Sequence, residues 1–81
     1  MKETIDYEKV FLAVLQIERN LEIETVAELE RIGLERICID NSIDYEELTE
    51  AEKEEIWKEL VAIVKEIEFK KEFAEMYLNE D

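Results

Sequence analysis

The sequence predicts an all-α fold, a small single-domain bundle of three to four helices over residues 1–81. Three observations predict it. Proline is absent and Gly33 is the only glycine, whereas a loop-rich or all-β chain needs many turn residues. Apolar residues recur at spacings of three and four, the period of an amphipathic helix. Threonine- and aspartate-led capping motifs stand just ahead of those recurrences. With 47% hydrophobic residues the chain has enough to bury, although a domain of 81 residues encloses only a small core.

The first helix is expected over residues 4–21. Val10, Val14, Ile17 and Leu21 recur along one face, Tyr7 and Phe11 widen it, and Thr4 or Asp6 can cap the start. Phe11, Leu12, Ala13 and Leu15 extend the apolar surface around the circumference, so this helix is expected to be the most buried. A second helix starts at Thr25. Thr25-Val26-Ala27-Glu28 fits the capping box, in which the hydroxyl accepts one orphan amide and the glutamate reaches back to another. Val26, Leu29 and Ile32 then share a side. Gly33 stands where positive φ is wanted after a helix end, with Leu34 placed for the accompanying apolar contact. Residues 34–40 suit a helix or turn better than a strand, because no second strand is available to pair with Ile37-Cys38-Ile39.

Residues 40–44 form the clearest loop, a cluster of side chains that bond their own backbone. Two capping boxes follow, Asp44-Tyr45-Glu46-Glu47 and Thr49-Glu50-Ala51-Glu52, so a short turn is expected before the main helix. From Glu50 the stripe runs Ile56, Leu60, Ile63, Ile67, flanked by Trp57 and Val64. Beyond it Phe69, Phe73, Met76 and Tyr77 open a stripe in a shifted register, which implies either a kink near Glu68 or a helix that ends and restarts. Ile5-Asp6-Tyr7-Glu8 and Ile43-Asp44-Tyr45-Glu46 match, but the residues after them do not; they are two similar helix starts rather than a repeat.

Composition excludes several chemistries. Without histidine there is no imidazole base and no His-based zinc or di-iron site. Cys38 is the only cysteine and Ser42 the only serine, so a disulfide within the chain and an activated serine nucleophile are ruled out. Residues 40–46 offer oxygen ligands at the positions of a calcium loop, but Tyr45 stands where the turn needs Gly and Ala51 where a bidentate Glu belongs. Residues 26–34 resemble a helix-turn-helix only in pattern, and Arg31 and Arg36 sit among Glu28, Glu30 and Glu35, wrong for holding phosphate. No enzyme activity, cofactor or metal is expected. A free thiol, and no apolar run longer than residues 10–15, point to a cytoplasmic protein without a membrane span.

Charge is the strongest remaining signal. The net charge is −14, and half of that excess lies between residues 40 and 59. Asp44, Glu46, Glu47, Glu50, Glu52, Glu55 and Glu59, continued by Glu66, are the expected partner-binding residues, with Glu52, Glu55, Glu59 and Glu66 on one helical face. With 20 Glu against 7 Lys, ion-pair networks do not account for the excess; solubility and helix propensity compete with function as its cause. So negative a surface repels nucleic acid and anionic lipid, and attracts proteins whose working surface is basic. The expected role is an acidic inhibitor that occludes the basic surface of a nucleic-acid-binding protein, such as a nuclease or its complex. Small phage-borne inhibitors of CRISPR and restriction nucleases share this size and charge. An antitoxin or immunity protein against a basic toxin, and a homodimer whose apolar stripes meet, are the alternatives.

Overall fold

A computed structural model describes residues 4–78. Four α-helices and one 3₁₀ turn form an all-α bundle: α1 (Tyr7–Arg19) and α2 (Val26–Ile32) pack on α4 (Glu50–Leu78), and α3 (Leu34–Asp40), after the bend at Gly33, ends at Asn41 against Gln16 and Asn20 of α1. The relative direction of α1 and α4 follows from their end contacts. The Asp6 amide donates to Glu52 Oε2 at the base (2.9 Å), and Leu21 lies beside Ile67 and Lys70 further up, so α1 runs parallel to α4. Val26 N–H donates to Glu68 Oε1 (3.0 Å), which sets the start of α2 beside the upper part of α4. At the base, Lys53 of α4 lies over the ring of Tyr45 in the 3₁₀ turn, 4.2 Å from the centroid.

Asp6 caps α1, accepting the Lys9 amide at 3.2 Å. Val10, Ala13, Val14 and Ile17 are buried. Tyr7, Phe11, Leu12 and Leu15 are exposed, Phe11 at 62%. The extra apolar surface of Phe11, Leu12 and Leu15 is therefore not buried as expected, although α1 still buries four of its 13 residues. In so small a bundle a helix has neighbours along only part of its circumference, so an apolar arc as wide as this one overruns its contacts.

Thr25 caps α2 through the Glu28 amide (3.2 Å), while Glu28 Oε1 reaches back to the Glu24 amide (3.3 Å), one residue beyond the ordinary capping box. Gly33 then both ends α2 and begins α3. Its N–H donates to Leu29 O (3.0 Å) and its carbonyl accepts from Ile37 N (3.2 Å). With φ 85° and ψ 156° it occupies a region essentially reserved for glycine, so the chain turns without a loop. Residues 34–40 are helical, with Ile37 and Cys38 in the core. Burial pushes the Cys38 thiol up from its ordinary pKa of 9.0, an effect partly offset by the Lys53 charge.

Asn41 and Ser42 (φ 60°) reverse the chain, and Ile43 N–H returns to Cys38 O at 2.8 Å. At Asp44 the expected box does not form: its side chain makes no capping bond, and only the 3₁₀ turn Tyr45–Glu47 follows. The box at Thr49 is complete. Glu52 N–H donates to Thr49 Oγ1 (3.1 Å), and Glu52 Oε1 accepts from Thr49 N–H (2.9 Å). From there α4 runs 29 residues without a break, about 44 Å at 1.5 Å per residue. It accounts for most of the 57 Å long axis of a molecule 24 × 20 Å across. The helix does not end and restart near Glu68, since residues 66–72 are helix formers without Gly or Pro. Ile56, Leu60 and Val64 are the fully buried stripe, and Ile63 and Ile67 lie at its margin.

Candidate protein-binding surface

The eight carboxylates expected to form one surface are divided by the fold into three groups. Asp44, Glu46, Glu47 and Glu50 cluster at the base, on the 3₁₀ turn, the residue before it and the first turn of α4, all exposed. Glu55, Glu59 and Glu66 lie on the side of α4 next to α1. Glu52 belongs to neither set, and its place among partner-binding residues is corrected. It is 3% exposed, the one charged residue buried among those described.

Glu52 joins two helix starts. One carboxylate oxygen completes the Thr49 box, and the other accepts the amide of Asp6, itself the cap of α1. At α1 the third helical position is Lys9, which has no carboxylate to reach back to the cap, so a residue 46 positions away does so instead. Backbone donors at Thr49 and then Asp6 hold the Glu52 carboxyl below its ordinary pKa of 4.5. The Thr49–Glu52 spacing announced the first bond. Nothing local announces the second.

Cations at the base are already engaged. Lys53 pairs with Glu50 (3.2 Å), which raises its pKa, and stacks on Tyr45; Lys9 Nζ donates to the Glu47 carbonyl (3.0 Å). Asp44, Glu46, Glu47 and the neighbouring Glu54 are left facing solvent. Glu54 is an exposed base carboxylate outside the expected set. On the α1 side, Glu55 pairs with Lys58 (3.5 Å) and Glu66 with Lys70 (3.2 Å).

Between those carboxylates and α1 runs a groove of about 460 Å³, with Tyr7, Phe11, Leu15 and Ile63 as its apolar lining and Glu18, Glu55 and Glu59 at its rim. The arc of Tyr7, Phe11 and Leu15 at spacings of four was visible in the sequence, but it was assigned to the core. A second cleft, about 370 Å³, lies between the end of α1, α2 and the end of α3 and mixes Ile23, Ile32 and Ile37 with Glu28, Asp40 and Asn41. Among the described residues no three His, Cys, Asp or Glu converge to hold a metal ion. No described helix is long and apolar enough to cross a membrane. No family model matches the chain, and no curated protein or solved structure matches it either.

Proposed function

We propose that this chain is a non-enzymatic, cytoplasmic inhibitor that binds the basic surface of a nucleic-acid-handling protein and excludes its DNA or RNA. The observation that carries the reading is the base of the bundle, where Asp44, Glu46 and Glu47 face solvent beside Glu50, which pairs with Lys53, while Lys9 is bonded to the Glu47 carbonyl. An excess of exposed carboxylates in one place produces a negative field that competes for a phosphate-binding groove. By size and charge the role is that of a phage inhibitor of CRISPR or restriction nucleases. An antitoxin or immunity protein would use the same surface against a basic toxin.

The test is capture of partners from nuclease-treated lysate with a salt-gradient elution, comparing wild type with the quadruple variant Asp44→Asn, Glu46→Gln, Glu47→Gln, Glu50→Gln. Recovery of a nucleic-acid-binding protein that is displaced by added DNA or RNA, and whose affinity falls at least about tenfold in the variant, supports the reading. A partner held equally by both proteins at every salt concentration overturns it.

A further inference from the structure

The α1–α4 pair is covered on one side only. Val26 of α2 donates to Glu68 of α4, and Glu59 stands 68 − 59 = 9 residues earlier, two and a half turns away. The side of α4 that carries Glu59 therefore points away from α2 and, with α1, forms the open groove of Tyr7, Phe11, Leu15 and Ile63. Its apolar side chains are accessible, Tyr7 at 65%, Phe11 at 62% and Leu15 at 39%. The groove does not stop at Ile63. Glu18 and Ile63 also line the furrow that continues to Leu21 and Ile67, so one channel follows α1 from Tyr7 to Leu21. Those 21 − 7 = 14 residues span about 21 Å, the length of a helix of four turns.

We propose that this channel holds an amphipathic helix of a partner protein, apolar on the face it inserts and basic along both flanks. Three observations select that occupant. The first is shape. Tyr7, Phe11 and Leu15 follow one another at spacings of four and make one ridge along the wall, the relief against which the side-chain rows of another helix pack. A furrow between two parallel helices is a seat for helix-in-groove recognition.

The second is charge. Carboxylates stand on both walls, Glu18 on α1 and Glu55, Glu59 and Glu66 on α4. Glu55 pairs with Lys58 and Glu66 with Lys70, but among the described residues no cation pairs with Glu18 or Glu59. An occupant with Lys or Arg on each side of its apolar row meets both walls. A neutral one would cover these carboxylates without pairing them, which costs their hydration.

The third is what the charge turns away. At a net charge of −14 a second copy brings like charge to the rim, and nucleic acid and anionic lipid are repelled for the same reason. A cationic helix of another protein is the occupant that satisfies the apolar floor and the acidic rim together. Asp44, Glu46, Glu47 and Glu50 line no part of the channel, so this contact does not depend on what the base binds.

A labelled synthetic peptide tests the assignment by fluorescence anisotropy: an amphipathic helix of about 15 residues with leucines at spacings of three and four and lysines on both flanks. Phe11→Gln and Leu15→Gln each replace an exposed residue, so circular dichroism should stay unchanged while affinity for the peptide falls at least about tenfold. The double variant Glu18→Gln, Glu59→Gln should also lose about tenfold at low salt, and its affinity should depend less on salt than that of wild type. The quadruple base variant should bind the peptide within about twofold of wild type, which separates this outcome from that of partner capture. A peptide with glutamates in place of the lysines should not bind. The proposal is overturned if the lysine peptide fails to bind at millimolar concentration, or if Phe11→Gln and Leu15→Gln bind it as well as wild type does. Greater loss in the base variant than in the groove variants also overturns it, as the mark of attraction to net charge alone. So does a wild-type dimer in sedimentation equilibrium that Phe11→Gln dissociates, because a second copy would then fill the channel.

Discussion

The two ends of α4 have nearly the same composition and opposite roles. In the lower half, Ile56, Leu60 and Val64 are buried in one cluster with residues of α1, α2 and α3, and a buried glutamate ties the first turn to the start of another helix. In the upper half the apolar residues are larger and lie on the other side of the helix, facing solvent. Hydrophobicity alone therefore does not say what a helix buries. Its neighbours do, and residues 72–76, beyond the Lys71–Glu24 pair, are exposed.

The sharpest way to break that contrast is to remove an equivalent side chain from each half. Leu60→Ala leaves a cavity inside the packed half and should cost about 2–5 kcal/mol by urea unfolding. Met76→Ala, at a side chain 71% exposed, should stay within about 0.5 kcal/mol of wild type. Equal losses would mean that the upper end of α4 is packed in solution.

A smaller effect is expected at Gly33, the bend between α2 and α3, which cover the packed half. A Cβ at Gly33 would meet nothing within 4 Å, so Gly33→Ala strains only the backbone. Its φ of 85° predicts a loss of about 1–3 kcal/mol. A loss near zero would show that the bend relaxes into an ordinary helix end.

The smallest effect is a pH dependence, and it tests how the packed half is fastened. Glu52 has a folded-state pKa below its unfolded value of 4.5, so its contribution is fully present above that pH. As pH falls through the ordinary carboxylate range and then through the folded pKa, the contribution is lost. Protonating the other surface acids relieves repulsion and acts in the opposite direction, so the informative quantity is a difference. The stability gap between wild type and Glu52→Gln should be widest at neutral pH and shrink on acidification. A gap that does not change with pH would mean that the Glu52 charge plays no part in holding the two helix starts.

Much of the fold could be read locally. The Thr49 box, the Thr25 cap, the Asp6 cap and the break at Gly33 each depend on residues within four positions of one another. Such signals survive in a sequence because the orphan amides of a helix start must find a partner nearby. The box at Asp44 failed because spacing permits a cap without requiring one. The acidic base was legible as a run of carboxylates, whereas the groove beside it was not: Tyr7, Phe11 and Leu15 carry the same period as a core stripe. Glu52 was misplaced for a related reason, since helical spacing puts it on the same face as Glu55 and Glu59.

The sequence by itself determined the helices, most of their starts and the excess of negative charge. These follow from backbone donors and side-chain periods that act within a turn or two. Only the tertiary structure decided that α1 and α4 run parallel, that Glu52 is shared between two helix starts, and that Tyr7, Phe11, Leu15 and Met76 stay exposed. Burial depends on which elements happen to lie alongside, and in so small a bundle there are too few of them to cover every apolar face that the local pattern creates.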